Sequence, residues 1–148
     1  MKIINLKDSN GFGLSDTIVA IVIMMLFTAL IVSISYNIYL QSTFVKRNDS
    51  ATNYIVELFE YANTLPFQNV TTNSLTSYVN NKDEKIEAIA YNEGNDPQPE
   101  QGYLMIINVT DVKTGTGGTV YIKQIDVTVK YRLSKNVKNV TMSTLINK

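Results

Sequence analysis

Near its N-terminus the chain has an apolar run that is unlike anything that follows it. Residues 17–45 form 29 consecutive positions (45 − 17 + 1) without a charged side chain, and residues 18–35 read IVAIVIMMLFTALIVSIS. A helix needs about 20 mostly apolar residues to cross the hydrocarbon core of a bilayer. A helix buried in a soluble core would need more chain around it than the roughly 100 residues that follow. The run therefore predicts a membrane-spanning helix.

An amphipathic helical pattern continues directly from this run. Its repeat uses three- and four-residue steps, at Phe44, Asn48, Ala51, Ile55, Leu58, Phe59, Ala62 and Leu65, with charged residues between them. Proline disfavours the helical conformation in the residue before it, so Pro66 predicts a helix end at or just before Leu65. We expect one continuous helix over residues 12–64.

The rest of the chain predicts a sheet. Residues 67–83 are rich in Asn, Thr and Ser and predict a connecting loop with a short turn at 75–79. Strand-like runs follow at 85–91, 103–112, 125–132 and 139–146, and in the third run apolar residues alternate with polar ones. The expected fold class is α+β, with the second half of the long N-terminal helix packed on a C-terminal antiparallel sheet of about four strands.

The amino-acid composition restricts the kinds of functional site that the chain can form. The chain contains no Cys and no His, so it lacks a disulfide framework, a thiolate metal site, and the commonest general base and metal ligand. Its 13 basic and 13 acidic residues balance, and this gives no reason to expect nucleic acid as a partner. We expect a protein that is not an enzyme and that uses no metal or cofactor.

The balance of charge conceals an uneven distribution. Between Asp49 and Asp111 there are ten acidic and two basic residues (2 − 10 = −8), whereas Lys113 to Lys148 has seven basic residues and one acidic (7 − 1 = +6). Either the two halves of one domain complement each other, or complementary faces meet between neighbouring subunits.

A short motif precedes the apolar run. A polar leader ends in Gly11, followed by the aromatic Phe12, by Leu14 two residues later, and by Asp16 at the entrance of the span. An acidic residue at that depth is costly unless it is paired, although the dipole of a helix N-terminus also favours one. The dipole accounts for Asp16 but not for Gly11, Phe12 or Leu14.

These residues resemble the cleavage motif of type IV prepilins and pseudopilins, in which a dedicated peptidase cuts after Gly and N-methylates the new terminal Phe. The resemblance implies cleavage between Gly11 and Phe12 and methylation of Phe12, leaving 137 residues (148 − 11). It also implies that Leu14 and Asp16 serve filament assembly, with Asp16 in place of the usual Glu and paired with the N-terminus of a neighbouring subunit. The implied partners are other pilin subunits, the prepilin peptidase–methyltransferase and the membrane.

This interpretation divides the chain into a leader (1–11), a transmembrane assembly helix (12–45) and an extracytoplasmic pilin-like domain (46–148). Lys2 and Lys7, against Asp8, favour a cytoplasmic N-terminus before processing. We expect a single-pass inner-membrane protein that becomes part of an extracellular or periplasmic filament. Small residues permit close helix packing in that filament, at Ala20, Ala29, Ser33 and Ser35.

Two alternatives remain open at this point. A signal-anchored membrane protein with an extracytoplasmic binding domain would keep its leader and would not depend on Asp16. A membrane-tethered enzyme would need a cleft where carboxylates or lysines converge. Among filament subunits, a pilus, a secretion pseudopilus and a DNA-uptake pseudopilus share the same physics, so the sequence does not separate them.

Overall fold

The computed structural model describes residues 13–148, apart from residues 83, 92–97, 101 and 116 and the side chains of 113 and 114. Helix α1 spans Leu14–Thr64, a 3-10 turn covers Phe67–Asn69, and α2 spans Thr72–Lys82. Strands β1 to β4 span Ile86–Ala90, Tyr103–Thr114, Val120–Leu133 and Asn136–Asn147. The chain divides into two compact units between Ser42 and Thr43. The predicted α+β class is confirmed.

Helix α1 runs without a break for 51 residues. It contains neither Gly nor Pro, the residues that most weaken a helix interior. It ends at Thr64, two residues before Pro66, as the restriction on residues preceding proline predicts.

The C-terminal part of α1 supplies one layer of the core. Ala51, Ile55, Leu58 and Ala62 are its fully buried residues, at four- and three-residue steps that place them on one face. They pack in a cluster with the inward-facing residues of the sheet, which include Met105, Ile107, Ile125, Val127, Val129 and Tyr131. The predicted stripe is therefore confirmed at its centre, whereas Phe44 at its start is 37% exposed.

The four strands lie in the order β1-β2-β3-β4, and the sheet is mixed. The β2–β3 and β3–β4 pairs are antiparallel, but β1 pairs parallel to β2, so the prediction of a fully antiparallel sheet was wrong at this strand. Parallel neighbours need a crossover of about a dozen residues. Twelve residues separate Ala90 from Tyr103, which lets the chain return to the starting end of β1.

The described part of this crossover contacts the face of the sheet that points away from α1. Pro99 is buried, and its carbonyl accepts a hydrogen bond of 2.7 Å from Nε of Arg132 on β3. On the same face, the paired residues Leu104 and Lys130 are only 4% and 8% exposed. The crossover segment thus covers one end of this otherwise solvent-exposed face.

Helix α2 occupies a segment for which the sequence predicted a connecting loop with a short turn at 75–79, and the structure has an 11-residue helix there instead. Thr71 and Ser74 form a reciprocal cap: the Ser74 amide donates to Thr71 Oγ1 (3.2 Å) and the Thr71 amide donates to Ser74 Oγ (3.1 Å). Leu75 and Val79, one turn apart, are buried in the core. Capping and burial outweigh the low helix propensity of the Asn and Thr residues here.

Side chains of α2 contact both α1 and strand β1. Lys82 forms an ion pair with Glu57 of α1, and the rings of Tyr61 and Tyr78 stack with centroids 3.7 Å apart. The Asn80 amide group accepts from the Ala88 N–H (2.7 Å) and donates to the Ala88 carbonyl (3.0 Å). Asn80 thereby occupies the outer edge of β1, which would otherwise present free main-chain groups.

Tyr131 is a fully buried residue of β3 in the core cluster between α1 and the sheet. Its ring is 5.9 Å from that of Tyr103, which in turn contacts Tyr54 of α1 at 5.3 Å. Its hydroxyl is buried and has no hydrogen-bond partner among the described residues. Burial, reinforced by Tyr103 and opposed by Arg47, raises the pKa of Tyr131 above its ordinary value of 10.0.

We predict that Tyr131→Phe stabilises the domain below pH 10, by about 1 kcal/mol, because a buried hydroxyl without a partner is a net cost. The folded state holds the phenol proton more tightly than the unfolded state, so stability declines as pH rises above 10. The variant should lose that part of the decline. Thermal unfolding of the detergent-solubilised chain between pH 7 and 11 measures both effects.

Tyr121→Phe is the matched control, because the Tyr121 side chain is 46% exposed. It should leave the melting temperature unchanged below pH 10. A lower melting temperature for Tyr131→Phe, with Tyr121→Phe unchanged, would show that the Tyr131 hydroxyl is satisfied in solution.

Candidate membrane anchor and its N-terminal motif

The N-terminal part of α1 exposes its apolar side chains on every side. Leu26, Phe27 and Ile31 are each more than 60% exposed, and none of the residues in the most apolar 18-residue window of the helix is buried. Soluble monomers rarely expose contiguous apolar patches larger than a few hundred Å². The described residues contain one helix that is long and apolar enough to cross a membrane, and it is α1.

The polar groups of this segment can be satisfied in hydrocarbon. Main-chain groups within a helix are bonded along its own axis, which is the requirement for a lipid-exposed span. The hydroxyl of Thr28 donates to the Met24 carbonyl at 2.8 Å, one turn earlier. The segment therefore has a suitable length, and its main chain and the Thr28 hydroxyl have hydrogen-bond partners within the helix.

Small residues are unevenly spread around the span. At 100° per residue, Thr17, Ala20, Thr28 and Ser35 fall within an arc of about 80°. Ala29 and Ser33 lie on a different side, so the four small residues singled out by the sequence divide between two faces. Small side chains allow helix backbones to approach closely in a membrane. The first face is thus the better candidate for close helix packing.

The helix start shows where the motif residues lie. Gly11 and Phe12 lie outside the described residues. The Gly13 carbonyl accepts from the amides of Asp16 (2.9 Å) and Thr17 (3.3 Å), which makes Gly13 the N-cap of α1. Leu14 is the first helical residue, with 82% of its surface exposed, and Asp16 is the third.

Asp16 therefore occupies the first turn of α1, where the helix dipole favours a negative charge. Within the described part of the chain it forms no salt bridge with Lys or Arg. A carboxylate in this position can accept charge-assisted hydrogen bonds from an ammonium group of another chain. The geometry of the helix start is compatible with both interpretations of Asp16, as a residue stabilised by the helix dipole and as an assembly contact.

A feature that the sequence did not predict is a cavity of about 110 Å³ between α1, α2, β1 and β2. Tyr54, Leu58 and Met105 are among its lining residues, with the Glu57–Lys82 ion pair beside them. It has room for only a few water molecules, since each occupies about 30 Å³ in the liquid. Among the described residues, no group of three or more acidic side chains gathers to hold a metal ion.

Comparison with known proteins adds no relative: no family model matches the chain, and neither a curated protein nor a solved structure matches it.

We predict that Leu26→Arg combined with Leu30→Arg reduces retention of the chain in membranes. Arginine at the centre of a span costs about 2.5–3.5 kcal/mol per residue on insertion scales. The fraction of protein left in the membrane pellet after alkaline carbonate extraction measures retention. Val56→Arg, at a 40%-exposed position of the folded domain, is the control and should remain membrane-bound. Equal retention of both variants would contradict an anchor at residues 17–45.

Proposed function

We propose that this protein is a structural subunit, a minor pilin or pseudopilin, of a type IV pilus-like or type II secretion-like filament. The observation that carries the proposal is the single helix α1, which begins at Leu14 within the Gly-Phe-Gly-Leu-Ser-Asp motif. Its first part presents bare apolar side chains, and its last part is buried in a folded α+β domain. This combination suits a subunit that is stored in a membrane and then packs its helix against other helices.

In the proposed pathway, Lys2 and Lys7 hold the leader in the cytoplasm, the peptidase cuts after Gly11, and Phe12 becomes N-methylated. The apolar part of α1 then exchanges lipid neighbours for the helices of other subunits. Lipid tails are as apolar as leucine, so this exchange gains little from the hydrophobic effect and depends on close packing and polar contacts.

Asp16 is the residue that such an exchange would use to set the register. In the low-dielectric surroundings of packed helices, a carboxylate paired with an N-terminal ammonium is far more favourable than an unpaired one. Asp is one methylene shorter than the Glu found at this position in most of the family, and this shortens its reach. The face formed by Thr17, Ala20, Thr28 and Ser35 permits the close approach that the contact requires.

We predict that Gly11→Ala leaves the precursor uncleaved. The chain should still begin at Met1 and should be heavier than the processed wild type by the mass of the leader, residues 1–11. Intact mass and N-terminal peptide sequencing of protein from membranes that contain an active prepilin peptidase give the answer.

Gly13→Ala is the matched control, since it alters a neighbouring glycine that the motif does not require. An added Cβ there meets Ser15 Oγ at 3.4 Å and Asp16 Oδ2 at 3.8 Å, which are ordinary contacts. It should be processed like the wild type. Normal processing of Gly11→Ala would reject the cleavage site and favour a signal-anchored membrane protein without a filament.

A separate prediction concerns assembly. Asp16→Asn should be cleaved normally but should enter filaments at least about tenfold less, the effect of losing roughly 1.4 kcal/mol from one charged contact. Asp16→Glu should enter them at least as well as the wild type. Immunoblots of sheared filament and membrane fractions compare the two. If Asp16→Asn assembles like the wild type, Asp16 serves only the helix dipole.

A further inference from the structure

Four basic residues lie at the end of the sheet where β3 turns into β4, and we call them the basic end: Arg47, Arg132, Lys135 and Lys138. Lys135 belongs to the two-residue turn itself. Arg47 joins the group from α1, because its guanidinium donates a hydrogen bond of 2.6 Å to the Arg132 carbonyl. Within the described ranges, none of the four forms a salt bridge with a carboxylate. The basic end therefore carries charge that the rest of the described domain does not pair.

Acidic residues close to the turn offset only part of this charge. Glu100 is exposed and belongs to the crossover segment that Arg132 binds. Asp49 follows Lys46 by three residues on α1, so these two side chains can offset each other. At 100° per residue, both lie on the side of α1 away from its buried stripe. On the β3–β4 side of the domain, the basic end and Glu100 together have a charge of +3 (4 − 1).

Two contacts fix the direction in which β3 runs along α1. One is the bond between Arg47 and the Arg132 carbonyl, and the other joins Lys123 Nζ to the carbonyl of Val70, beyond the end of α1, at 2.8 Å. The nine steps of β3 between these contacts (132 − 123) cover about 30 Å. The 17 steps of α1 from Arg47 to its end (64 − 47) cover about 26 Å. Strand β3 thus runs opposite to α1, and the β3–β4 turn points toward the N-terminal end of the helix.

An anchor at residues 17–45 places the bilayer surface at this same end of the domain. As a helix, the 29-residue uncharged run is about 43 Å long, which matches the roughly 40–45 Å of a bilayer with its headgroups. Tyr36 and Tyr39, which are 58% and 66% exposed, are of the residue type enriched at membrane–water interfaces. Arg47 follows the uncharged run by two residues, so it leaves the bilayer at the level of the headgroup phosphates.

We propose that the basic end binds anionic lipid headgroups of the bilayer that holds the anchor. Lipid phosphates accept charge-assisted hydrogen bonds from Lys and Arg, and an anionic surface attracts basic side chains within about one Debye length. Arg132 and Arg47 are held in place by their hydrogen bonds, whereas Lys135 and Lys138 are exposed. The contact holds the folded domain against the membrane surface on its β3–β4 side.

The bilayer is the occupant because α1 keeps the basic end close to it in every copy of the chain. This tether makes the contact intramolecular in effect, with a high effective concentration of headgroups. The acidic face of a neighbouring subunit would first have to be brought to the same place. The proposal rests on the membrane anchor, and it depends neither on cleavage after Gly11 nor on filament assembly.

The absence of cysteine from the chain allows a fluorophore to be attached at one chosen site. Asn136→Cys places it beside the β3–β4 turn and outside the left-handed position at Ser134, where φ is 57°. Thr119→Cys is the control, because this exposed residue lies in the turn at the opposite end of β3. The labelled full chain is reconstituted in vesicles of neutral phosphatidylcholine, alone or mixed with anionic phosphatidylglycerol. Both contain a lipid with a nitroxide headgroup, which quenches fluorescence on contact.

Quenching at Asn136→Cys should rise when anionic lipid is present and fall again at high salt, whereas quenching at Thr119→Cys should change little. Adding Lys135→Gln and Lys138→Gln should lower the ratio of quenched to unquenched fluorophore about 25-fold, because each basic residue near an anionic surface contributes about fivefold. Lys135→Arg with Lys138→Arg is the matched control, since it keeps both charges, and it should retain the quenching. A purely structural role of the two lysines would not make quenching depend on lipid charge.

Equal quenching at Asn136→Cys in neutral and anionic vesicles would overturn the proposal, and so would wild-type quenching in the variant with both glutamines. Quenching that follows the density of protein in the vesicles and not their lipid charge would assign the basic end to a neighbouring subunit, which also overturns it. Loss of the chain from the vesicles on alkaline carbonate extraction would reject the anchor and this proposal with it. Retention of the chain without charge-dependent quenching would reject the headgroup contact alone.

Discussion

The burial of one stripe of α1 against β2 and β3 is the contact on which the folded domain depends. Ala51, Ile55, Leu58 and Ala62 supply one side, and the alternating residues of β3 from Ile125 to Tyr131 supply most of the other. A single sheet with one apolar face cannot be stable in water, and a helix with one apolar stripe cannot either. Each provides the cover that the other needs, so that neither layer is stable alone. The contact also buries the Tyr131 hydroxyl, which has no hydrogen-bond partner among the described residues.

The same helix has a different surface along its first part. The apolar side chains of residues 18–39 are exposed, whereas in the C-terminal part of the helix a stripe on one side is buried. A uniformly apolar surface is suited to lipid or to other helices, whereas the amphipathic surface is suited to a domain in water. The change of pattern therefore matches a change of environment along one helix. This change of surface along α1 is the physical basis of the filament proposal. The residues proposed to act in assembly lie at the start of α1 and not in a cleft.

The two edges of the sheet differ. The parallel crossover brings β1 beside β2 and leaves β4 at the opposite side, and α2 supplies Asn80 to close the β1 edge alone. The asymmetry matters because main-chain groups at an edge remain available to any strand that fits.

The sequence by itself determined the features that local pattern controls. The uncharged run, the stripe from Ala51 to Ala62, the stop before Pro66 and the alternation from Ile125 to Tyr131 each depend on spacing that a single chain displays, and the structure has all four. Helix α2 was within reach as well, because Thr71, Ser74, Leu75 and Val79 carry a cap and an apolar pair, but the surrounding Asn and Thr residues masked it. Only the tertiary structure decided that β1 runs parallel to β2 and that Asn80 and not another strand closes the β1 edge. These outcomes depend on residues far apart in the chain, and strand direction follows from the path of the crossover, which hydrophobic alternation does not encode.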